Sequence, residues 1–92
     1  MSHTIKEKGK LLSRVRRIRG QVEALERALE DERGCTAVMQ QIAAVRGAIN
    51  GLMAEVMEDH IRVHVADPSI GDDTERAQGT EDLVNIIRAY LK

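Results

Sequence analysis

The chain reads as an all-α protein built as a three-helix protomer, and three observations carry that reading. Tyr90 is the only aromatic residue and Pro68 the only proline among 92 residues, so a core must come from Leu, Ile, Val, Ala and Met. Those side chains suit packed helices better than a sandwich or barrel. Apolar residues recur in steps of 4 and 3 along two long stretches, the period of a helical seam rather than of a strand. No 18-residue apolar run interrupts them, so a membrane span is not expected. Residues 1–92 are read as one domain, near the size at which a lone hydrophobic core is marginal.

The first helix is expected over about residues 5–31. Leu11, Val15, Ile18, Val22, Leu25 and Leu29 form its seam, and Gly34 offers a stop. Bases crowd its beginning and acids (Glu23, Glu26, Glu30, Asp31, Glu32) its end, opposite to what the helix dipole favours. The second helix is expected over about residues 35–64, where Val38, Ile42, Val45, Ile49, Leu52 and Val56 continue the same steps. Thirty residues span about 45 Å, so a helix this long in so small a domain needs a partner along its length. Ala43, Ala44, Gly47, Ala48, Gly51 and Ala54 place small side chains at its middle, which lets another helix approach closely. Residues 66–79 break the pattern and read as a linker. Thr80 then reads as the N-cap of a third helix over about residues 81–91, with Leu83, Ile86, Ile87, Tyr90 and Leu91 on one face.

Charge is unevenly distributed. Residues 1–20 hold seven bases against Glu7 alone, a net +6, whereas the rest of the chain holds seven bases and fourteen acids, a net −7. A basic arm on an acidic domain points to a polyanion read by one face, and a nucleic acid is the leading candidate. The plainer alternative is an amphipathic helix balanced by acidic neighbours, which would make the chain a coiled-coil interaction module that retains no DNA.

The second cluster of interest is metal-binding in type. His60 and His64 are an i, i+4 pair and project from one helical face. Cys35, the sole cysteine, lies 25 residues before His60. On one helix that is roughly 37 Å, so its thiolate can join the two imidazoles only from a second, antiparallel copy. The midpoint between Cys35 and the histidine pair falls near residue 48, inside the small-residue stretch, so one two-fold pairing would satisfy both features and create two equivalent sites. His3 is the only other histidine, and removal of Met1 would free the amine of Ser2. Thiolate with imidazoles suits zinc, nickel, cobalt or copper, and a set of five or six donors favours nickel or cobalt. Glu58 and Asp59 are taken as ordinary surface acids rather than partners of the imidazoles. A single cysteine excludes an internal disulfide. No phosphate-binding glycine loop, zincin pattern or Ser/His/Asp grouping supports an enzyme. The charged beginning of the chain is unlike a secretion signal, and a cytoplasmic location is expected.

The stretch Arg14-Val-Arg-Arg-Ile-Arg-Gly-Gln-Val-Glu-Ala-Leu, then Cys35, then Gln40-Gln-Ile-Ala-Ala-Val-Arg-Gly-Ala-Ile-Asn-Gly-Leu-Met-Ala-Glu-Val, then His60 and His64, resembles the copper-sensitive operon repressor family (CsoR/RcnR/FrmR-like). The resemblance runs over nearly the whole chain. It implies a disc-shaped dimer of dimers, metal sites shared between protomers, and an apo form that represses transcription from double-stranded operator DNA until an inducer releases it. It also implies DNA contact through basic residues of the first two helices: here Lys8, Lys10, Arg14, Arg16 and Arg17, with Arg46 in addition. The subgroup-setting positions read His3, Cys35, His60 and His64, which is similar to the nickel/cobalt sensors, with Ser2 as a further donor. Ni(II) or Co(II) is then the expected inducer of an efflux gene, and Zn(II) is expected to bind in vitro. Copper sensors carry a second cysteine in place of His64. Formaldehyde sensors usually carry proline in place of Ser2 and glutamate in place of His64, yet Arg14 to Leu29 and the ending Arg88-Ala-Tyr-Leu-Lys look more like that group. The second reading is therefore a formaldehyde-responsive repressor that uses Cys35 and the N-terminal amine.

Overall fold

The computed structural model describes residues 7–91. It contains three helices, α1 (Lys8–Glu30), α2 (Cys35–His64) and α3 (Asp73–Tyr90), and no strand among the described residues. None of these helices is long and apolar enough to cross a membrane. The described residues divide into two compact units, 7–53 and 54–91. The expected positions Ser2 and His3 lie outside the described residues.

In the first unit, α1 ends in a Schellman motif. The N–H of Arg33 donates to Ala28 O at 3.1 Å, and that of Glu32 to Leu29 O at 3.2 Å. The left-handed residue that this motif requires is Glu32, at φ 51°, and not Gly34. Gly34 stands two residues further on at φ 96°, where its carbonyl accepts from Val38 N at 3.1 Å and opens α2. An L side chain in the left-handed region costs about 1–2 kcal/mol, part of which the greater freedom of unfolded glycine offsets. Glu32→Gly is therefore expected to stabilise the protein by roughly 0.5–1 kcal/mol in urea unfolding. An unchanged or lower midpoint would show that the Glu32 side chain contributes more than its backbone strain removes.

The α1 seam is divided between two tasks. Ile18 is buried and Leu11 and Leu25 are half-buried, whereas Val15, Val22 and Leu29 are exposed, Leu29 at 58%. The same alternation recurs on α2, where Val38, Val45 and Leu52 are half-buried but Ile42 and Ile49 are exposed. Among the described residues, Ile18 and Ala28 are the only buried apolar ones, and no large side chain is completely enclosed. So little interior leaves much apolar surface uncovered on a chain of this size.

The second unit differs from the sequence reading. The segment read as a linker over 66–79 is irregular only to Asp72, and α3 starts at Asp73 rather than near residue 81. Asp72 is the N-cap, with extended backbone and a carboxylate accepting from Thr74 N at 2.8 Å. Asp73 and Glu75 follow in the first turn, where the helix dipole favours acids. Thr80 is not a cap; its hydroxyl donates back to Arg76 O at 2.9 Å inside the helix. Gly79 suggests a break but is a crossing point. It is buried, and a Cβ there would lie 2.5 Å from His64 O and 2.8 Å from His64 Cβ. Asp67 organises the turn before α3, its Oδ1 accepting from both Ser69 N and Ser69 Oγ at 2.8 Å. Arg76 fastens that turn, donating to Val65 O at 2.7 Å and to Ile70 O at 3.4 Å.

Candidate functional site

The histidine pair lies where α3 meets the last turn of α2. Both imidazoles are half-buried, with ring centroids 4.9 Å apart and planes tilted by 50°. His60 Nε2 sits 2.7 Å from Gly79 O. A carbonyl only accepts, so Nε2 carries the proton and the lone pair of neutral His60 is on Nδ1. A backbone carbonyl holding one ring nitrogen is the usual way in which a metal-ligating histidine is oriented. The absent side chain at Gly79 makes this contact possible, because it brings the α3 backbone against the end of α2.

The pair faces an open cavity of about 370 Å³ on whose walls Asp72, Glu75 and Asp82 stand with His60 and His64. Asp72 Oδ1 is engaged in capping, and Asp82 Oδ1 accepts from Gln78 Nε2 at 2.8 Å. Three carboxylates around two imidazoles give the cavity an electrostatic preference for cations.

Glu58 and Asp59 part company. Glu58 is exposed, with an oxygen 3.8 Å from Arg62, and is the surface acid expected of both. Asp59 is not a surface acid: it is only 7% exposed, accepts from Arg62 Nη1 at 3.2 Å through Oδ1, and buries Oδ2 without a hydrogen-bond partner. Glu55, one turn earlier, is also buried. Both acids were legible in principle, because positions 45, 48, 52, 55 and 59 keep the 3, 4 steps of the inward stripe. Their charge argued the other way.

Cys35 is exposed as the first residue of α2, at the opposite end of the helix from the histidines. Among the described residues no group of three or more His, Cys, Asp or Glu is arranged to hold a metal ion. The structure thus brings together His60 and His64 but not Cys35. The two imidazoles fit part of a site for a borderline divalent ion: two nitrogen donors on one face, one of them with its lone pair fixed by Gly79, in acidic surroundings.

The basic residues lie mainly on α1. Lys8, Lys10, Arg16 and Arg17 are exposed there, as is Arg46 on α2, while Arg14 is half-buried. Arg14 reaches across to α2, where its Nη1 lies 3.1 Å from the Cβ position of Gly51. Within this unit one of the small residues of α2 therefore makes room for a guanidinium.

A family model described as metal-sensitive transcriptional repressor matches residues 7–89. An uncharacterized protein from the bioA 5′ region of Serratia marcescens is 56% identical over 92 residues, with 100% of each chain covered. The transcriptional repressor RcnR of Citrobacter koseri is 45% identical over 92 residues, again with 100% of each covered. Among solved structures, a glutamate-to-histidine variant of the formaldehyde-responsive regulator FrmR from Salmonella enterica serovar Typhimurium matches with a TM-score of 0.80. It is 50% identical, and the match covers 92% of this chain and 94% of that one.

Proposed function

The chain belongs to the family of metal-sensitive transcriptional repressors, which are not enzymes, and on that footing we propose that it is a nickel- or cobalt-responsive repressor. In this reading the apo protein holds operator DNA through Lys8, Lys10, Arg14, Arg16, Arg17 and Arg46. Ni(II) or Co(II), held by Ser2, His3, Cys35, His60 and His64, releases it and derepresses an efflux gene in the cytoplasm. The observation that carries the reading is His64 beside His60, on one face of α2 and with rings 4.9 Å apart. Similarity to RcnR over the full length supports it.

Cys35 is too far along α2 to meet the histidines of its own chain, so the site draws it from a second copy. The exposed seam residues Val15, Val22, Leu29, Ile42 and Ile49 supply apolar surface for that pairing. A homotetramer, built as a dimer of such dimers, is the proposed assembly. A bound metal ion supplies a fixed point that gathers donors from separate segments. His60 and His64 contribute imidazole nitrogens, and Gly79 O holds the His60 proton on Nε2 away from the ion. Asp72, Glu75 and Asp82 bias the cavity toward a cation. Release requires that the ion bind the DNA-incompetent arrangement more tightly, and coupling of this kind typically amounts to a factor of about 5–150.

A second reading is favoured by one observation, the 50% identity to a formaldehyde-responsive regulator. In that reading the exposed Cys35 thiol and the Ser2 amine each give up one hydrogen and are bridged by one methylene, with formaldehyde oxygen leaving as water. Fluorescence anisotropy of the reduced protein on its upstream DNA, titrated separately with Ni(II), Co(II) and formaldehyde, tests both. Release by metal alone supports the first reading. Release by formaldehyde alone, with a mass gain of one carbon per chain, replaces it with the second. Zn(II) serves as the competing ion, since it is expected to bind in vitro whichever reading holds.

A further inference from the structure

The helical hairpin of the first unit carries a second cavity that no part of the metal reading uses. It measures about 230 Å³ and is lined by Arg14, Arg17, Ile18 and Gln21 of α1 and by Ala44 and Ala48 of α2. We propose that this cleft seats one phosphate group, gripped by Arg14, Arg17 and the Gln21 amide above a floor of alanine methyl groups. The proposal deepens the DNA-binding reading by naming one discrete phosphate contact within a basic surface, and its DNA arm rests on that reading.

Four features converge on an oxyanion. Arg14, Arg17 and Gln21 are spaced i, i+3 and i+7, so one helical face presents two guanidiniums and an amide to the same space. No carboxylate lines the cleft. Gln21 Oε1 is buried and has no hydrogen-bond partner. With that oxygen buried, the end of the amide left for a cleft already lined by two arginines is its N–H donor. Finally, the Ala44 and Ala48 methyl groups exclude water from one side, which strengthens attraction between guanidinium and anion. At about 30 Å³ per water in the liquid, the volume admits a tetrahedral oxyanion with a few waters. Lys8, Lys10 and Arg16 lie outside the cleft lining and contribute only to the general field.

The phosphate could be a DNA phosphodiester or free inorganic phosphate, and the test separates them. Ala44→Leu fills the cleft while keeping every charge, and Gln21→Leu removes the amide at similar volume. In the first arm, operator affinity is measured by anisotropy across a range of salt concentrations. Seating of a DNA phosphate predicts that each variant flattens the slope of log K against log salt by about 0.9 per engaged copy. In the second arm, the wild-type protein without DNA is titrated with inorganic phosphate and followed by NMR. Seating of free phosphate predicts saturable shifts of the Gln21 side-chain amide and the Arg14 and Arg17 Nε–H signals, which Ala44→Leu abolishes. A response in either arm supports the seat and names its source. An unchanged slope together with absent shifts overturns it. If the wild-type protein holds no DNA, the DNA-binding reading fails, and the phosphate titration alone decides the seat. If Ala44→Leu does not fold, Gln21→Leu decides in its place.

Discussion

Gly79→Ala is expected to destabilise the protein by about 2 kcal/mol and to loosen the His60 ring in the same step. In an ordinary exposed helix this substitution helps, because alanine exceeds glycine in helix propensity by about 1 kcal/mol. Here the added Cβ would stand 2.5 Å from a backbone oxygen and 3.0 Å from a backbone carbon of His64. Neither atom can be moved by a rotamer change, so α3 must back away from the end of α2. The bond from His60 Nε2 to Gly79 O, now 2.7 Å, opens as it does so. Thermal unfolding at a fixed protein concentration should show the midpoint falling by roughly 8–16 °C. Nitrogen-15 NMR of the imidazoles should show the proton of His60 no longer confined to Nε2. A variant as stable as the parent, with an unchanged His60 tautomer, would mean that the approach of α3 to His64 is looser than described.

The second large effect concerns response rather than stability. His64→Ala is expected to remove release of DNA by Ni(II) or Co(II), erasing a coupling typically of about 5–150-fold, while the affinity of the apo protein for DNA stays within about twofold. Cys35→Ala should do the same. The two variants diverge toward formaldehyde: the thiol is indispensable to a methylene bridge and His64 is not. A protein that responds to formaldehyde, retains that response in His64→Ala and loses it in Cys35→Ala would be an aldehyde sensor carrying a metal-type histidine. Loss of DNA binding in either variant without inducer would assign the residue a structural task. Both residues are compatible with substitution, since Cys35 is exposed and His64 contributes its side chain to an open cavity.

What the sequence made legible was whatever repeats along one helix. The 4, 3 steps of Leu11 to Leu29 and Val38 to Val56 located α1 and α2 closely, and the i, i+4 spacing was enough to pair His60 with His64. The beginning of α3 was not legible in the same way. Gly79 looks like a terminator when only neighbours in sequence are considered, and its actual neighbour is the backbone of His64, fifteen positions earlier. A local signal did exist: Asp72, followed by Asp73, Thr74 and Glu75, is a sound N-cap with an acidic first turn. The break suggested by Gly79 and the threonine at Thr80 outweighed it. Asp59 was misjudged for a related reason, since its place on the inward stripe was readable but a carboxylate is seldom buried. Gly79 O as the partner of His60, and the cleft beneath Arg14, depend on how one helix meets another, which no single periodicity encodes.

The division of the α1 seam has a consequence for lineages rather than for single molecules. Leu11, Ile18 and Leu25 face inward and Val15, Val22 and Leu29 face out, so alternate members of one repeat answer to different constraints. Drift at the inward set changes whether the hairpin closes. In the proposed pairing, drift at the outward set, flanked by bases at one end and acids at the other, changes which chains recognise one another and leaves the hairpin intact. Where duplicated genes make several such repressors in one cell, the outward register is the place at which they can become deaf to each other, through mismatched bulk or opposed charge, without having to reinvent the fold.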